Sequence, residues 1–287
     1  MTLTKVFVRF LVVLTALSSP VFSQTLSVDS SQQEYLSQPA DKYEKRVNQE
    51  YGNMVANYRN LPDSDHGRIL GSDIALELFP EYLANQAISE SLRPAAQVFI
   101  MRLYADQLSR PAQPGSSVVF SAGGTGAGKT TALNMFSYLI QNAEIVMDTT
   151  MSDYYWSTKL IDQALNSGRR VTVMYVYRDP VDAFANGVLP RAMRIGRVVG
   201  FDYHIKSHIH ARKVMDQLML HYASEPNFQL IAVDNSRGLN EQRFVALSTI
   251  PAGDPVMLKS RIKGALYQAL SNGTIDQKMY DTILIAR

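Results

Sequence analysis

A glycine-rich loop near the middle of the chain constrains the fold more than any other feature. Residues 123–130 read GGTGAGKT and fill every fixed position of the phosphate-binding pattern G-x-x-x-x-G-K-[S/T]. The apolar residues 117–121 precede the loop and predict a strand, and residues 131–136 follow it and predict a helix. Because the pattern binds phosphate in this strand–loop–helix context, we expect the chain to bind a nucleoside triphosphate.

The residue types in the loop explain this expectation. Glycines allow the backbone to turn tightly and aim its N–H groups at a phosphate, and the helix N-terminus adds partial positive charge. Lys129 is predicted to reach the outer phosphates, and the hydroxyl of Thr130 is predicted to ligate Mg²⁺. The residues predicted to bind nucleotide here are Gly123, Gly124, Thr125, Gly126, Ala127, Gly128, Lys129, Thr130 and Thr131.

The pattern after the loop alternates between helix and strand. Strands are predicted at 144–148, 171–177 and 228–233, and helices from the loop to about 142, at 158–166 and at about 204–222. This alternation predicts an α/β fold of the P-loop NTPase type, a mostly parallel sheet with helices on both faces and ligands at the carboxyl ends of the strands. Three helices are predicted upstream of the loop. The first covers about 41–59 and is solvated, the second begins at Ser72 or Asp73 and stops at Pro80, and the third covers 88–108.

The N-terminal residues predict export. Lys5 and Arg9 precede an apolar run at 10–17 and then Ser-Ser-Pro, the arrangement of a signal peptide over residues 1–23 with cleavage before Gln24. An apolar helix or membrane anchor is the alternative, but the run is too short for a permanent span. We divide the rest into a polar leader and solvated helix (24–62), a helical lead-in (63–115) and an α/β domain (116–287).

Composition narrows the functional classes. The formal net charge is +2, and Lys5 and Arg9 account for both charges, so the chain without its first 23 residues is nominally neutral. That balance argues against nucleic acid as a partner, since non-specific binding depends on many Lys and Arg side chains. The chain has no cysteine, which excludes disulfides, thiol catalysis and zinc sites with Cys ligands.

Two aspartates follow predicted strands. Asp148 ends the strand that precedes Thr149 and Thr150, where a carboxylate can hold Mg²⁺ or take a proton from a hydroxyl, although it can also cap the next turn. We favour the functional role because the strand belongs to the same predicted sheet as the loop strand. Asp179 precedes Pro180, and an Asp-Pro turn explains it as a structural residue.

Basic residues recur further along the chain. Arg191, Arg194 and Arg197 are three apart and would share one face of a helix, and Arg side chains offset the charge of a transferring phosphoryl group. His204 and His208 have the spacing of metal ligands. No Glu follows His204 as in a zinc-protease helix, so a helix surface or a substrate-side contact is favoured.

The order of these parts resembles the zeta-toxin-like P-loop kinases. The resemblance rests on the loop, Asp148-Thr149-Thr150, the strand leading into Arg178-Asp179-Pro180, residues 191–197, and a lead-in at 72–82, and it covers about 69–238. It implies ATP- or GTP-dependent phosphorylation of a small molecule, which for the best-known toxins is a UDP-activated amino sugar. An antitoxin or immunity protein would be the expected protein partner.

The resemblance also implies roles for particular residues. Lys129, Asp148, Arg191 and Arg197 match catalytic positions, and Asn235 and Gly238 match a loop near the base. The toxins have two acidic strand ends and this chain offers one between the loop helix and Val173, so Asp148 is open as proton acceptor, Mg²⁺ ligand or substrate contact. A nucleotide-dependent switch with little turnover is the alternative function, and a loop that has lost activity is a third.

Overall fold

The computed structural model describes residues 42–238 and 241–286. The predicted signal peptide and residues 24–41 of the leader lie outside these residues. The described chain contains a six-stranded sheet in the order β1-β3-β2-β4-β5-β6. The first five strands in this order are parallel and β6 is antiparallel to β5. The strands are β1 Ile69–Gly71, β2 Ser117–Ala122, β3 Ile145–Asp148, β4 Arg170–Tyr177, β5 Phe228–Asp234 and β6 Arg243–Val245.

Helices surround this sheet and connect its strands. They are α1 Lys42–Arg59, α2 Ser72–Ala75, α3 Pro80–Ala84, α4 Ser89–Leu108, α5 Lys129–Met135, α6 Ser137–Ile140, α7 Tyr154–Asn166, α8 Pro180–Ala183, α9 Leu189–Ile195, α10 Phe201–His221, α11 Pro255–Ser271 and α12 Gln277–Ile285. A π-helical turn, Phe184–Val188, joins α8 to α9. Short 3₁₀ turns occupy Pro62–Ser64, Leu76–Leu78, Gln86–Ile88 and Leu247–Thr249.

The central strands are apolar on both faces, as buried parallel strands must be. In β2, Val118 and Phe120 belong to a core shared with α1, α4, α7 and α10, whereas Val119 belongs to a second core shared with α5 and α6. In β4, Val173 lies in the first core and Met174 in the second. The predicted α/β fold of the P-loop NTPase type, with helices on both faces, is therefore confirmed.

Several predicted boundaries were wrong. The helix after the loop does not run unbroken to about 142, because it ends at Met135 and Phe136 turns its ring onto Phe244, with ring centroids 4.5 Å apart. Pro80 begins α3 at its first turn, where a missing N–H costs nothing, instead of ending a helix. The helix predicted from residue 158 begins at Tyr154, because Asp153 caps it by accepting the N–H of Trp156 at 2.7 Å.

The helix predicted at about 41–59 is not solvated all round, because Val47, Met54 and Tyr58 of α1 are buried in the core. Tyr58, near the end of α1, is fully buried and donates its hydroxyl to the carbonyl of Ile69 at 2.8 Å. The same hydroxyl accepts the N–H of Gly71 at 3.1 Å, so α1 fixes the position of β1. The sequence did not predict β1, which pairs with β3 at the edge of the sheet. Among the described residues, no helix is long and apolar enough to cross a membrane.

Candidate nucleotide-binding and phosphotransfer site

The loop predicted to bind phosphate lies at the carboxyl end of β2 and leads into α5. Gly123, Gly126 and Gly128 have φ of +137°, +73° and +86°, which L-residues rarely adopt. Gly128 is the last residue before α5, so the loop places its backbone at the positive end of a helix. Within the described chain, the N–H groups of Gly126 and Gly128 have no protein acceptor. This is the arrangement of a phosphate cradle.

Neighbouring elements hold the loop tightly in this shape. A Cβ on Gly126 would lie 2.5 Å from the carbonyl oxygen of Ala183, and one on Gly123 would lie 2.3 Å from the carbonyl oxygen of Val176. A Cβ on Gly128 would lie 2.3 Å from the amide nitrogen of Asn235. Glycine at these three positions is therefore required by close packing as well as by backbone conformation.

Three side chains of helix α10 form hydrogen bonds with the loop. The Nε2–H of His204 donates to the carbonyl of Pro180 at 2.8 Å, so its Nδ1 accepts the hydroxyl of Thr125 at 2.6 Å. His208 donates from Nε2 to the carbonyl of Thr125 at 2.9 Å, and Ser207 accepts the N–H of Thr125 at 3.2 Å. Thr125 is therefore held through its backbone and its side chain.

Burial fixes the charge state of these histidines. Burial lowers the pKa of His204 to about 4, and burial together with His204 lowers the pKa of His208 well below its ordinary value. The prediction of a helix surface was wrong, since His204 and His208 are buried against the loop while His210 is exposed. The available signal was the spacing of His204, Ser207 and His208, which places all three on one face of a helix where a single neighbouring element can cover them.

Lys129 extends along the loop that precedes it. Its ammonium group donates to the carbonyls of Gly123 at 3.1 Å and Gly124 at 3.4 Å. Burial lowers its pKa, while the nearby charges of Asp148 and Asp73 act in the opposite direction. The lysine is thus anchored in the loop with two carboxylates close by, as a phosphate-binding ammonium should be.

Asp148 lies beside the loop, at the end of β3. Residue 148 pairs with Ser121 of β2 on one side and with Gly71 of β1 on the other. Its Oδ1 accepts the hydroxyl of Ser121 at 2.6 Å, and Ser121 in turn accepts the N–H of Thr149 at 3.3 Å. Among the described residues, Oδ2 of Asp148 has no hydrogen-bond partner. Asp148 therefore caps no helix, and one oxygen is available to a metal or a hydroxyl.

The three predicted arginines do not share one helix face, as the sequence analysis expected. Helix α9 ends at Ile195, and Gly196 reverses the chain with φ of +70°, so Arg197 lies beyond the helix instead of on one face with Arg191 and Arg194. Arg194 is exposed, Arg191 is partly exposed and Arg197 is buried. The structure thus brings Arg191 and Arg197 to the site and leaves Arg194 in solvent.

A second carboxylate, Asp73, lies at the centre of this basic cluster. Its Oδ1 accepts Nη2 of Arg197 at 2.5 Å and Nη1 of Arg93 at 3.0 Å, and its Oδ2 lies 3.4 Å from Nη2 of Arg191. Burial alone would raise the pKa of Asp73, but the hydrogen bond and charge of Arg197, with the charges of Arg93 and Arg191, hold it well below its usual range. Asp73 is therefore ionised throughout the physiological pH range.

Sequence reasoning missed Asp73 and Arg93 as site residues. Asp73 was considered only as a possible helix cap, and it was not among the acidic strand ends sought between the loop and β4. The available signal was the short apolar run at 69–70 followed by Gly71, Ser72 and Asp73, which places a carboxylate after a strand. Arg93 has no local signal, because only the packing of α4 brings it to Asp73.

Two other predicted residues have structural contacts. Asn235 is buried and donates its amide to the carbonyl of Ala127 at 2.7 Å, so its side chain supports the loop, and its place near a base stays a prediction. Asp179 caps α8 by accepting the N–H groups of Val181 at 2.9 Å and Asp182 at 3.2 Å, which agrees with the structural role predicted for it. Gly238 is exposed at the end of the first described range.

The residues present fit a nucleotide with its magnesium ion. The glycine cradle has unpaired N–H groups for phosphate oxygens, and Lys129 lies in it. Thr130 is exposed at the first turn of α5, and Asp148 offers an oxygen, a donor set that Mg²⁺ uses together with phosphate oxygens and water. The described residues contain no group of three or more His, Cys, Asp or Glu that would bind a metal without such a ligand.

Fold and loop together define the class of this protein as a P-loop, kinase-like nucleotide-binding protein. Residues 136–240 match the family model of the Zeta toxin, in agreement with the resemblance to the zeta-toxin-like kinases seen in the sequence. The match contains Asp148, Arg191 and Arg197, while the phosphate-binding loop precedes it. No curated protein matches the chain.

Proposed function

We propose that this protein is a phosphotransferase of the zeta-toxin type, which transfers the terminal phosphoryl group of ATP or GTP to a hydroxyl group of a small molecule. The observation that carries the proposal is the convergence of Lys129, Asp148, Arg191 and Arg197 at the carboxyl edge of one sheet. The charges of Asp148, Arg191 and Arg197 all lie close enough to Lys129 to influence its pKa. A phosphate cradle, a carboxylate and guanidinium groups in one place are the parts that phosphoryl transfer uses.

Each residue has a role in the proposed reaction. The N–H groups of the loop and Lys129 would bind the phosphates, and Thr130, with Asp148 where it serves as a ligand, would hold Mg²⁺, which would neutralise charge on the phosphate oxygens. The free Oδ2 of Asp148 serves one of two purposes: it would ligate Mg²⁺, or it would accept the proton of the acceptor hydroxyl, and Ser121 keeps the carboxylate oriented for either. Arg191 and Arg197 offset the charge that spreads over the transferring group.

The acceptor is the finer part of the proposal. The resemblance to the zeta toxins makes UDP-activated amino sugars the first acceptors to test. Arg93, Arg191 and Arg197 surround Asp73 with more positive than negative charge, which suits an anionic acceptor. An antitoxin or immunity protein that covers this site is the protein partner we propose.

Location is proposed from the sequence alone. The basic and apolar pattern of residues 1–23 would direct export and cleavage before Gln24. Mass spectrometry of the protein from its native host tests this, because cleavage gives a mature chain that begins at Gln24. A chain in the cytoplasm that still begins at Met1 would refute export.

The kinase proposal is tested with residues 24–287 and radiolabelled ATP or GTP. We expect label to move to a UDP-amino sugar, with nucleotide consumption that depends on the acceptor and on Mg²⁺. Tight nucleotide binding with no transfer to any acceptor would favour the switch module instead. Absence of both binding and transfer would contradict the proposal and indicate a loop that has lost its activity.

A further inference from the structure

The carboxylate of Asp73 is surrounded by arginines from three separate segments. Arg93 comes from α4, Arg191 from α9, and Arg197 from the turn after α9. Asp73 itself follows β1, whose Gly71 pairs with Asp148 of β3. Asp73 and Arg93 both precede the segment that matches the Zeta toxin model. These two residues therefore have no role assigned by the resemblance or by the match.

The contacts of Arg197 are incomplete in a way that points to a ligand. Its side chain is 6% exposed, and Asp73 is the only residue to which it is hydrogen-bonded within the described chain. The Nε–H of Arg197 is buried and has no partner there. A buried donor without an acceptor costs free energy, and a phosphoryl ligand in the adjoining loop would supply the acceptor that this donor lacks.

The position of this donor identifies the ligand group. Arg191, Arg197 and Asp73 are all close enough to the ammonium group of Lys129 to influence its pKa. A planar guanidinium group beside the phosphate cradle is matched to the oxygens of a phosphoryl group. Arg93 is also paired with Glu90, with Nη2 2.8 Å from Oε1. Without Asp73, the guanidinium groups of Arg191 and Arg197 would have no hydrogen-bond partner among the described residues, and their like charges would repel each other.

We propose that Asp73 is a positioning residue for phosphoryl transfer, which holds Arg191 and Arg197 so that the Nε–H of Arg197 is available to the transferring group. This inference rests on the proposed kinase function. Asp73 acts through the arginines and not as proton acceptor, because a carboxylate held by three cations retains little basicity. Arg93 completes the arrangement by binding Asp73 from the side of α4.

The test compares Asp73→Asn with Glu81→Gln, a matched change of a second Arg-paired carboxylate in the lead-in. Glu81 is bonded to Arg46 at 3.1 Å, away from the loop. We expect Asp73→Asn to lower kcat at least about tenfold while the KM for ATP changes less than about threefold, because the arginines act on the transferring group. Glu81→Gln should change neither quantity.

A binding measurement makes the test independent of turnover. Aluminium fluoride with MgADP imitates the transferring phosphoryl group, so its affinity reports the orientation of the arginines. Calorimetry should show that Asp73→Asn weakens binding of this mixture about tenfold while binding of MgADP alone changes less than about threefold. Equal effects on both ligands, or no effect on either, would overturn the proposal.

A double-mutant cycle with Arg197→Lys tests whether Asp73 acts through Arg197. If it does, the double variant loses little more activity than Arg197→Lys alone, since the interaction is already absent. Additive losses would overturn the proposal, and so would loss of the acidic limb of the kcat–pH profile in Asp73→Asn, which is expected only of a proton acceptor.

Two further outcomes are distinguished. If Asp73→Asn does not fold, Asp73→Glu retains the charge and displaces the carboxylate by one methylene, and its activity should fall about tenfold because orientation is lost. Wild-type activity in that variant would overturn the inference. Wild-type protein that neither transfers phosphate nor binds MgADP with aluminium fluoride contradicts the kinase proposal itself, whereas active wild type with an equally active Asp73→Asn refutes only this inference.

Discussion

Two buried arginines at opposite ends of the sheet differ in how completely their hydrogen-bond donors are paired. Arg169 lies just before β4 and is fully buried, and all of its nitrogens have acceptors. It forms a bidentate pair with Glu144, at 2.9 and 2.8 Å, and donates to carbonyls at the ends of α4 and α7. Arg197, at the carboxyl end, is nearly as buried but pairs with one carboxylate and leaves its Nε–H unpaired.

The difference separates two reasons for burying a charge. Arg169 joins three elements and satisfies helix-end carbonyls, which carry partial negative charge. Its contribution should be to stability alone. Arg197 has a donor that no described residue accepts, and its charge is close enough to Lys129 to influence the pKa of that lysine, as expected if a phosphoryl ligand supplies the acceptor. Buried charges that are fully paired should therefore affect folding, and those that are incompletely paired should affect the reaction.

The largest effect is expected at Lys129, whose charge lies in the phosphate cradle. Lys129→Ala should lower phosphoryl transfer at least about a hundredfold, because an ammonium group that contacts the outer phosphates is lost. The melting temperature should change little, since the side chain contacts only loop carbonyls. Transfer rate and calorimetric melting on one preparation measure both. Wild-type turnover in the variant would contradict the kinase proposal.

Asp148 and Asp179 are aspartates at the carboxyl ends of two strands of the sheet, β3 and β4, and they should respond differently to the same change. Asp148→Asn should reduce transfer about a hundredfold with an unchanged melting temperature, because an amide accepts no proton and binds Mg²⁺ weakly. Asp179→Asn is the control, since Asn caps a helix nearly as well as Asp. Equal activities in the two variants would return Asp148 to a structural role.

The comparison of the two arginines is tested directly by removing each guanidinium group. Arg169→Met should lower the free energy of unfolding by about 3 kcal/mol, since it leaves buried carbonyls and Glu144 without partners. The folded variant should keep its transfer rate. Arg197→Met should reverse this pattern, with transfer reduced and stability nearly retained. Urea unfolding with parallel kinetics measures both, and a large loss of stability in Arg197→Met would refute the distinction.

The sequence predicted the phosphate-binding loop and the four strands β2 to β5, with the helices between them, because these signals are local. Residues 123–130 fix a backbone shape by themselves, and β2, β3, β4 and β5 are continuous apolar runs. Asp148 was found for the same reason, as the residue that ends a strand. The short strands β1 and β6, with three residues each, give no such signal and were missed.

Site residues brought together by packing could not be predicted. The pair of Asp73 and Arg197 joins positions 124 residues apart, and neither its geometry nor the role of Arg93 is present in any local pattern. The histidines of α10 were read as surface residues because helical spacing does not reveal which neighbour covers a face. Arg169 was not singled out, since its partners are mainly backbone carbonyls.

His204 extends the comparison of paired and unpaired buried groups. It lies at the carboxyl end of the sheet, as Arg197 does, but both of its ring nitrogens have partners, as the nitrogens of Arg169 do. It should therefore act on stability, as Arg169 does. Burial lowers its pKa to about 4 from an ordinary value of 6.5. Between these values the unfolded chain binds a proton that the folded chain does not, so the free energy of unfolding must fall as the pH falls through this window.

This window lies above the range in which most carboxylates titrate. His208, whose pKa burial also lowers, adds to the same pH dependence, so the share of His204 is the difference between wild type and a variant that keeps His208. From pH 7 to 5.5, His204 should account for a loss of about 1 kcal/mol in the free energy of unfolding. His204→Gln, which retains a donor for Pro180, should lose that much less over the same interval. His210→Gln, an exposed residue of the same helix, should behave as wild type. Equal pH dependence in wild type and His204→Gln would mean that His204 titrates alike in the folded and unfolded chains. It would then be solvated, and the loop would not be fastened as its contacts indicate.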